Sequence, residues 1–405
     1  MPSLESLPVE ILYVILLFLL FVVPRVLQRF RLPAAVTSVG LGAIAGVGLG
    51  LFQHDSTIQL LSTLGIVSLF LFAGLEVNLG ELRRESAVLA QHLALRIALL
   101  AGVAFLAHKT LSLAPRPAAL VALALVTPST GFILDSIGSL GVTDRERFWI
   151  KTKAIATEIL ALAVLFVALQ SETAKGLAVS TLVLAALVVV LPLVFRAFAR
   201  LVVPYAPKSE FAFLLMIAVL SAFATRELGV YYLVGAFVVG LTAQRFRERL
   251  PAMTSEEMIH AVEMFASFFV PFYFFSAGLH LRREDFELAA LGLGVAFLAT
   301  MVPLRLAIVA VHRRLALGES LRKGLRIGVS MLPTLVFTLV IAEILRDRFG
   351  VSPAVFGGLI VYTLANTLIP SFTLRLPPPE FESPRAPELA ISDGSARAAG
   401  PEPAS

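Results

Sequence analysis

The chain has 405 residues, of which 58% are hydrophobic and 15% charged, with a mean hydropathy of +0.89. A soluble domain sits near about 45–50% apolar and about 25% charged, so this much apolar surface needs lipid to cover it, which excludes a soluble enzyme or binding module. The lack of cysteine removes disulfides and thiolate metal sites, and the net charge of +5 is spread between long apolar runs instead of gathered on one face, which excludes a nucleic-acid surface.

A membrane helix needs about 20 mostly apolar residues, and against that length the chain offers thirteen spans. The first, 8–30, has no basic start followed by a small-residue cleavage site and reads as a retained span, not a signal peptide. The second, 32–52, holds the glycine-rich run Gly40 to Gly50. That run predicts close helix packing and not a phosphate loop, which would end in Lys-Ser/Thr. The third, 57–80, contains Phe72-Ala73-Gly74-Leu75, and the fourth, 86–108, carries Arg96. The fifth, 117–140, is interrupted by Pro128-Ser129-Thr130 and also holds Asp135; the sixth, 146–170, has Glu158 at its midpoint. Spans seven to nine cover 176–200, 208–227 and 229–244. The tenth, 257–281, ends on Ser276-Ala277-Gly278-Leu279; the eleventh, 286–312, carries Arg305; the twelfth, 319–345, contains Pro333-Thr334; the thirteenth covers 352–375. Residues 1–375 form the transmembrane unit, and 376–405, rich in Pro, Ala, Ser and charge, read as a disordered cytoplasmic tail.

Lys and Arg concentrate in the loops that follow odd-numbered spans, such as Arg83-Arg84, Arg145 to Lys153, Arg245 to Arg249 and Arg313 to Arg326. By the positive-inside rule the N-terminus is outside and the C-terminus cytoplasmic. Two short patterns recur at nearly one offset: Gly74 to Gly278 is 204 residues and Pro128 to Pro333 is 205. The offset crosses seven spans, an odd number, so the second copy is inverted. Inverted repeats are a mark of secondary transporters. Repeat one is 8–170, a linker helix is 176–200, and repeat two is 208–375.

A proline in mid-span removes a backbone hydrogen bond, and in lipid the freed groups must find partners in protein, water or an ion. Interruptions at matching repeat positions point to a transport site; two unrelated kinks are the bland reading. Hydroxyls follow both prolines, Ser129 and Thr130 in one case and Thr334 in the other. Glu158 is the most informative residue. A charge at mid-span costs roughly 2.5–3.5 kcal/mol on insertion scales, and a carboxylate, a hard oxygen ligand, takes either a proton or an alkali cation. Arg305 needs an acidic or carbonyl partner, Glu158 being the first choice, or else it snorkels to the interface. Asp135 lines an inward-facing funnel or a solvated helix end. No nucleophile–base pair or histidine metal spacing points to an enzyme.

Leu64-Gly65 through Leu71-Phe72-Ala73-Gly74-Leu75-Glu76, Leu233-Val234-Gly235-Ala236-Phe237-Val238-Val239-Gly240 and Phe272 to Leu279 together resemble the monovalent cation:proton antiporter family, which includes Kef-type potassium efflux systems and bacterial sodium/proton antiporters. The resemblance covers residues 8–375. It implies an all-α polytopic fold, a homodimer, two broken helices crossing in a core domain (spans 5 and 12), and an elevator-type movement of that core; residue usage rich in Ala, Leu, Val and Arg points to a bacterium and hence the inner membrane. It implies that Thr157-Glu158 stands where the family has an Asn-Asp or Asp-Asp pair, that Glu158 binds the alkali cation, and that Arg305 is the family's basic residue. It implies no cofactor beyond the transported sodium or potassium and the proton. Three departures are visible: Glu in place of Asp, Thr at the first position of the pair, and Leu332-Pro333-Thr334 where many relatives have Arg-Gly-Glu. With one carboxylate remaining, the expectation is electroneutral exchange; the departures also leave open a different substrate, such as an organic anion or bicarbonate.

Overall fold

A computed structural model describes residues 8–77, 80, 86–137, 142–206, 209–227, 229, 232–245 and 256–374. All regular structure among these residues is helical. In chain order the helices are α1 (Val9–Gln28), α2 (Ala34–Ala43, continued by a π turn Ile44–Gly48), α3 (Ser56–Leu75), α4 (Ser86–Thr110), α5 (Pro115–Val126), α6 (Thr130–Ile137), α7 (Asp144–Gln170), α8 (Ala174–Leu201), α9 (Glu210–Glu227), α10 (Tyr232–Arg245), α11 (Glu256–Leu279), α12 (Leu288–Leu317), α13 (Leu321–Ser330), α14 (Leu335–Phe349) and α15 (Pro353–Thr373). Nine of the described helical segments are long and apolar enough to cross a membrane, or ten if the bent pair α13–α14 counts as one span. The expected spans 32–52, 208–227 and 229–244 are also helical, but shorter or more charged at their ends. The proposed tail, 376–405, lies outside the described residues.

The expected interruptions are present. Thr127 adopts an extended backbone (φ −77°, ψ 120°), as a residue before proline must, and α5 stops there; α6 restarts at Thr130. Likewise α13 ends at Ser330 and α14 begins at Leu335, with a bend of 52° between them.

Two packing groups result. In one, α3 runs against α10 and α11, and α2 lies against α11. Glycines bring these backbones into contact: a Cβ on Gly42 would fall onto the Phe275 carbonyl and 3.0 Å from Gly278 Cα, and one on Gly74 would fall onto the Phe237 carbonyl and 3.0 Å from Gly240 Cα. Gly74 and Gly278, the two recurring glycines of the sequence, thus each sit in one such crossing. The stretch Gly40 to Gly50 contributes Gly42 and Gly46 to this packing, while Gly40 and Gly48 face open space. In the other group α5 crosses α14, and α4, α12, α13 and α15 surround them. Helix α7 is set by a capping box between Thr143 and Glu146 and packs along α4, α5 and α6. The apolar faces of α1 and α8 are largely exposed, with Val14, Phe18, Leu182 and Val189 uncovered, as lipid-facing surface is.

One expectation is corrected. Arg145, Arg147, Lys151 and Lys153 are not a loop; all four belong to α7, and Lys153 is fully buried. Arg313 likewise lies inside α12 and is buried. Lys151 is partly exposed and forms an ion pair with Glu76 at the end of α3.

Candidate functional site

The two breaks meet. The Ser129 amide donates to the Pro333 carbonyl at 2.7 Å, so the loose ends of both broken helices are tied backbone to backbone. The last turn of a helix leaves carbonyls without intrahelical partners, and here several find donors from other helices. On α5, the Thr338 hydroxyl donates to Ala124 O (2.7 Å) and the Tyr362 hydroxyl to Leu125 O (2.7 Å). The Arg96 guanidinium reaches Val126 O at 3.5 Å. On α13, Arg305 donates to Met331 O (2.7 Å) and Leu332 O (2.9 Å), and it reaches Leu125 O at 3.4 Å and the Tyr362 hydroxyl at 3.0 Å. Met331 and Val126, the carbonyls served by Arg305 and Arg96, are 205 residues apart, the same offset as Pro333 and Pro128.

The expected Arg305–Glu158 pair is therefore replaced by carbonyl capping, and among the described residues no ion pair joins the two. The physical reason is the break itself. A planar fork of five N–H donors can serve several carbonyls at once, and the negative end of a helix dipole is a suitable counter-charge.

Glu158 stands apart from this network. It is 3% exposed, and its Oε2 is buried with no hydrogen-bond partner among the described residues; Thr130 Oγ1 is in the same condition. Glu158, Ser129, Thr130 and Gly131 line one small pocket, closed by Leu69, Phe70 and Ala73 of α3 and by Val336 and Phe337 of α14. Phe70 and Phe337 meet edge to face, 5.7 Å between ring centres. Gly131 lets α6 approach: a Cβ there would lie 2.7 Å from Leu69 Cδ1. The pocket thus sits where the two packing groups touch. Buried polar atoms are ordinarily satisfied; here Glu158 Oε2 and the Thr130 hydroxyl face one pocket at a helix break with no partner at hydrogen-bond distance among the described residues, an arrangement of oxygens chemically able to take a cation or a proton.

The second break is closed instead. Thr363 is 205 residues after Glu158, and its hydroxyl lies 2.9 Å from that of Thr334. Asn366 Nδ2 donates to Thr334 Oγ1 at 3.0 Å, and the Thr334 amide donates to Asn366 Oδ1 at 3.3 Å. Pro333 and Thr334 therefore belong to a satisfied network and Pro128, Ser129 and Thr130 to the open one. Thr157 is turned away: its hydroxyl donates to Lys153 O (2.7 Å) and lies 3.1 Å from His92 Nε2. Asp135 falls within α6, but its side chain lies outside the described residues. The sequence reading missed Thr338, Tyr362, Thr363 and Asn366. A usable signal existed, since Thr363, Asn366 and Thr367 put polar groups at i, i+3 and i+4 on one face of an apolar span.

Residues 15–377 match the family model described as the transmembrane sodium/hydrogen exchanger. The chain is 26% identical over 391 residues to the Na(+)/H(+) antiporter NhaS5 of Synechocystis sp., covering 90% of this chain and 54% of that one. It thus spans about half the length of that relative. It is 24% identical over 383 residues to the probable Na(+)/H(+) antiporter 3 of Methanocaldococcus jannaschii, covering 90% and 95% of the two chains. Among solved structures, the sodium proton antiporter MjNhaP1 of Methanocaldococcus jannaschii at pH 8 superposes with a TM-score of 0.65 at 14% identity, over 91% of this chain and 95% of that one. An electron-microscopy structure of the same antiporter gives a TM-score of 0.63 at 13% identity over 89% and 94%. At such identity the likeness is one of fold.

Proposed function

The chain belongs to the sodium/hydrogen exchanger family, and from that premise we propose that it exchanges a monovalent cation, sodium or potassium, for a proton across the membrane, with Glu158 as the group both ions share. The observation that carries this reading is the buried, unpartnered Glu158 oxygen in a pocket at the first helix break. A carboxylate in low dielectric is held either neutral by a proton or paired with a cation. One group that must take one or the other, and cannot stay bare, couples the two flows. Ser129 and Thr130 supply further oxygens suited to an alkali ion.

One carboxylate exchanges one proton for one monovalent cation, so the exchange is electroneutral. The pocket lies between α3 of one packing group and α6, α7 and α14 of the other; movement of the second group past the first, an elevator-type stroke, would carry Glu158 from one side to the other. No cofactor enters; the ions are the substrates. Arg305 and Arg96 hold the broken ends and do not bind cargo. The two inverted repeats, 8–170 and 208–375 about the linker 176–200, account for the paired breaks and paired arginines. We further propose a homodimer in a bacterial inner membrane, with the N-terminus outside and the C-terminus cytoplasmic, as the basic segments favour.

The test is proton flux in proteoliposomes loaded with a pH dye. Sodium, potassium or lithium added outside should move protons in the wild type and fail to do so in Glu158→Gln. A mutant with full cation-linked proton flux would sink the assignment of Glu158, and silence of the wild type to every cation would sink the exchange itself.

A further inference from the structure

A second group of buried titratable side chains lies outside the pocket, where α4, α7 and α12 meet. Lys153 of α7 is fully buried, and His92 of α4 and His312 of α12 are nearly so. Lys153 Nζ lies 3.2 Å from His312 Nδ1 and 5.6 Å from the centre of the Trp149 ring. Among the described residues no carboxylate lies within ion-pair distance of Lys153. The charged groups around it are these. Arg313 of α12 donates from Nε to Glu319 at 2.8 Å, Glu146 is spent on the capping box at the start of α7, and Arg145, Arg322, Lys323 and Arg326 are exposed. Arg96 of α4 serves Val126 O; the side chain of Asp135 on α6 lies outside the described residues. His92 has a fixed role: the Thr157 hydroxyl spends its hydrogen on Lys153 O, so His92 Nε2–H must donate to Thr157 Oγ1.

A contact between two nitrogens is a hydrogen bond while at least one of them keeps a lone pair to accept. In the singly protonated pair an ammonium donates to a neutral imidazole or an imidazolium to a neutral amine. A second proton leaves no acceptor and sets two like charges face to face, and the contact fails. We propose that Lys153 and His312 form a proton-binding site separate from the Glu158 pocket, which takes up one further proton and in doing so breaks its own hydrogen bond and frees α7 from α12 at that point. The Lys153 carbonyl is also the acceptor that holds Thr157, next to Glu158, so the site reports on the helix that carries the cargo group without touching the cargo. The inference does not depend on Glu158 binding a cation.

The chain contains a single tryptophan, and it is Trp149, beside Lys153. Its emission is therefore a local probe of this pair. The experiment is a pH titration of intrinsic fluorescence in lipid nanodiscs, with and without saturating sodium or potassium. The expected result is one transition in the wild type, unmoved by either cation, retained in Glu158→Gln, and lost in Lys153→Met and His312→Asn. His312→Asn keeps an acceptor oxygen for the ammonium and cannot hold a second proton, so it preserves the link and the fold. A flat wild-type titration, a transition that survives His312→Asn, or one that disappears in His92→Asn while His312→Asn retains it, would overturn the proposal. Loss of the transition in Glu158→Gln would overturn it too, assigning the signal to the cation pocket; a failure of cation-linked flux with the transition intact would instead count against the exchange reading alone.

Discussion

Glu158 sits at the midpoint of an apolar span, and there an ionisable group is legible from sequence because its presence is expensive. Its length is also informative. Glu158→Asp draws the carboxylate back by one methylene from Ser129 and Thr130, so exchange should persist with a changed order of preference among lithium, sodium and potassium, measured as cation concentrations for half-maximal proton flux. If proton and cation compete for Glu158 as proposed, acidification fills the site with protons and weakens the cation. Once the group is mostly protonated, each further pH unit downward should raise the half-maximal cation concentration about tenfold. A cation dependence unchanged over several pH units would rule out the shared site. Arg305 was legible only as a charge in need of a partner. Its acceptors are backbone carbonyls at Met331, Leu332 and Leu125, and a carbonyl leaves no mark on a sequence. Arg305→Lys keeps the charge but not the fork, and Arg305→Ala loses both. Each buried carbonyl left bare costs about 1–3 kcal/mol, so the thermal midpoint in detergent should fall for Lys and further for Ala.

At the scale of the helix, the breaks at Pro128 and Pro333 were readable because proline acts locally, on its own amide and on the residue before it. What closes each break was not, since Thr338, Tyr362 and Asn366 reach it from other helices. The glycine crossings were half readable: the recurring Gly74 and Gly278 stood out, while their partners Gly240 and Gly42 depend on which helices meet. These contacts separate structural glycines from idle ones. Gly74→Ala and Gly42→Ala place a methyl on a neighbouring backbone and should destabilise by about 1–3 kcal/mol. Gly102, in α4, has open space where a methyl would go, with nothing within 4 Å. It should accept Ala with no loss, and a gain of about 0.5–1 kcal/mol is expected from helix propensity. Equal midpoints for Gly74→Ala and Gly102→Ala would show that the α3–α10 contact is looser than its glycines imply.

At the scale of the whole molecule, the all-helical membrane fold followed from composition and span length alone. The division into two packing groups did not, because it depends on which apolar faces meet, and apolar faces look alike in sequence. The division predicts where a constraint matters. The natural chain has no cysteine, so pairs can be introduced cleanly. Leu69→Cys with Gly131→Cys joins α3 to α6 across the boundary, and a bridging mercury ion there should stop exchange until a thiol removes it. Phe198→Cys with Phe213→Cys replaces rings 3.7 Å apart on α8 and α9; bridging that pair should leave flux near the uncrosslinked level. Inhibition by both, or by neither, would contradict a boundary at the pocket.

The glycine crossings have a mechanical corollary. Where α2 meets α11 and α3 meets α10, backbone rests on backbone at Gly42, Gly46, Gly74 and Gly240, and at those points no rotamer is available to absorb a shift. In the proposed elevator-type stroke such a wall would act as the stator, and strain at the pocket would pass to the opposite group, whose crossed ends are held by hydrogen bonds around Ser129 and Arg305. The compliance of the machine would then be concentrated beside the proposed ion site.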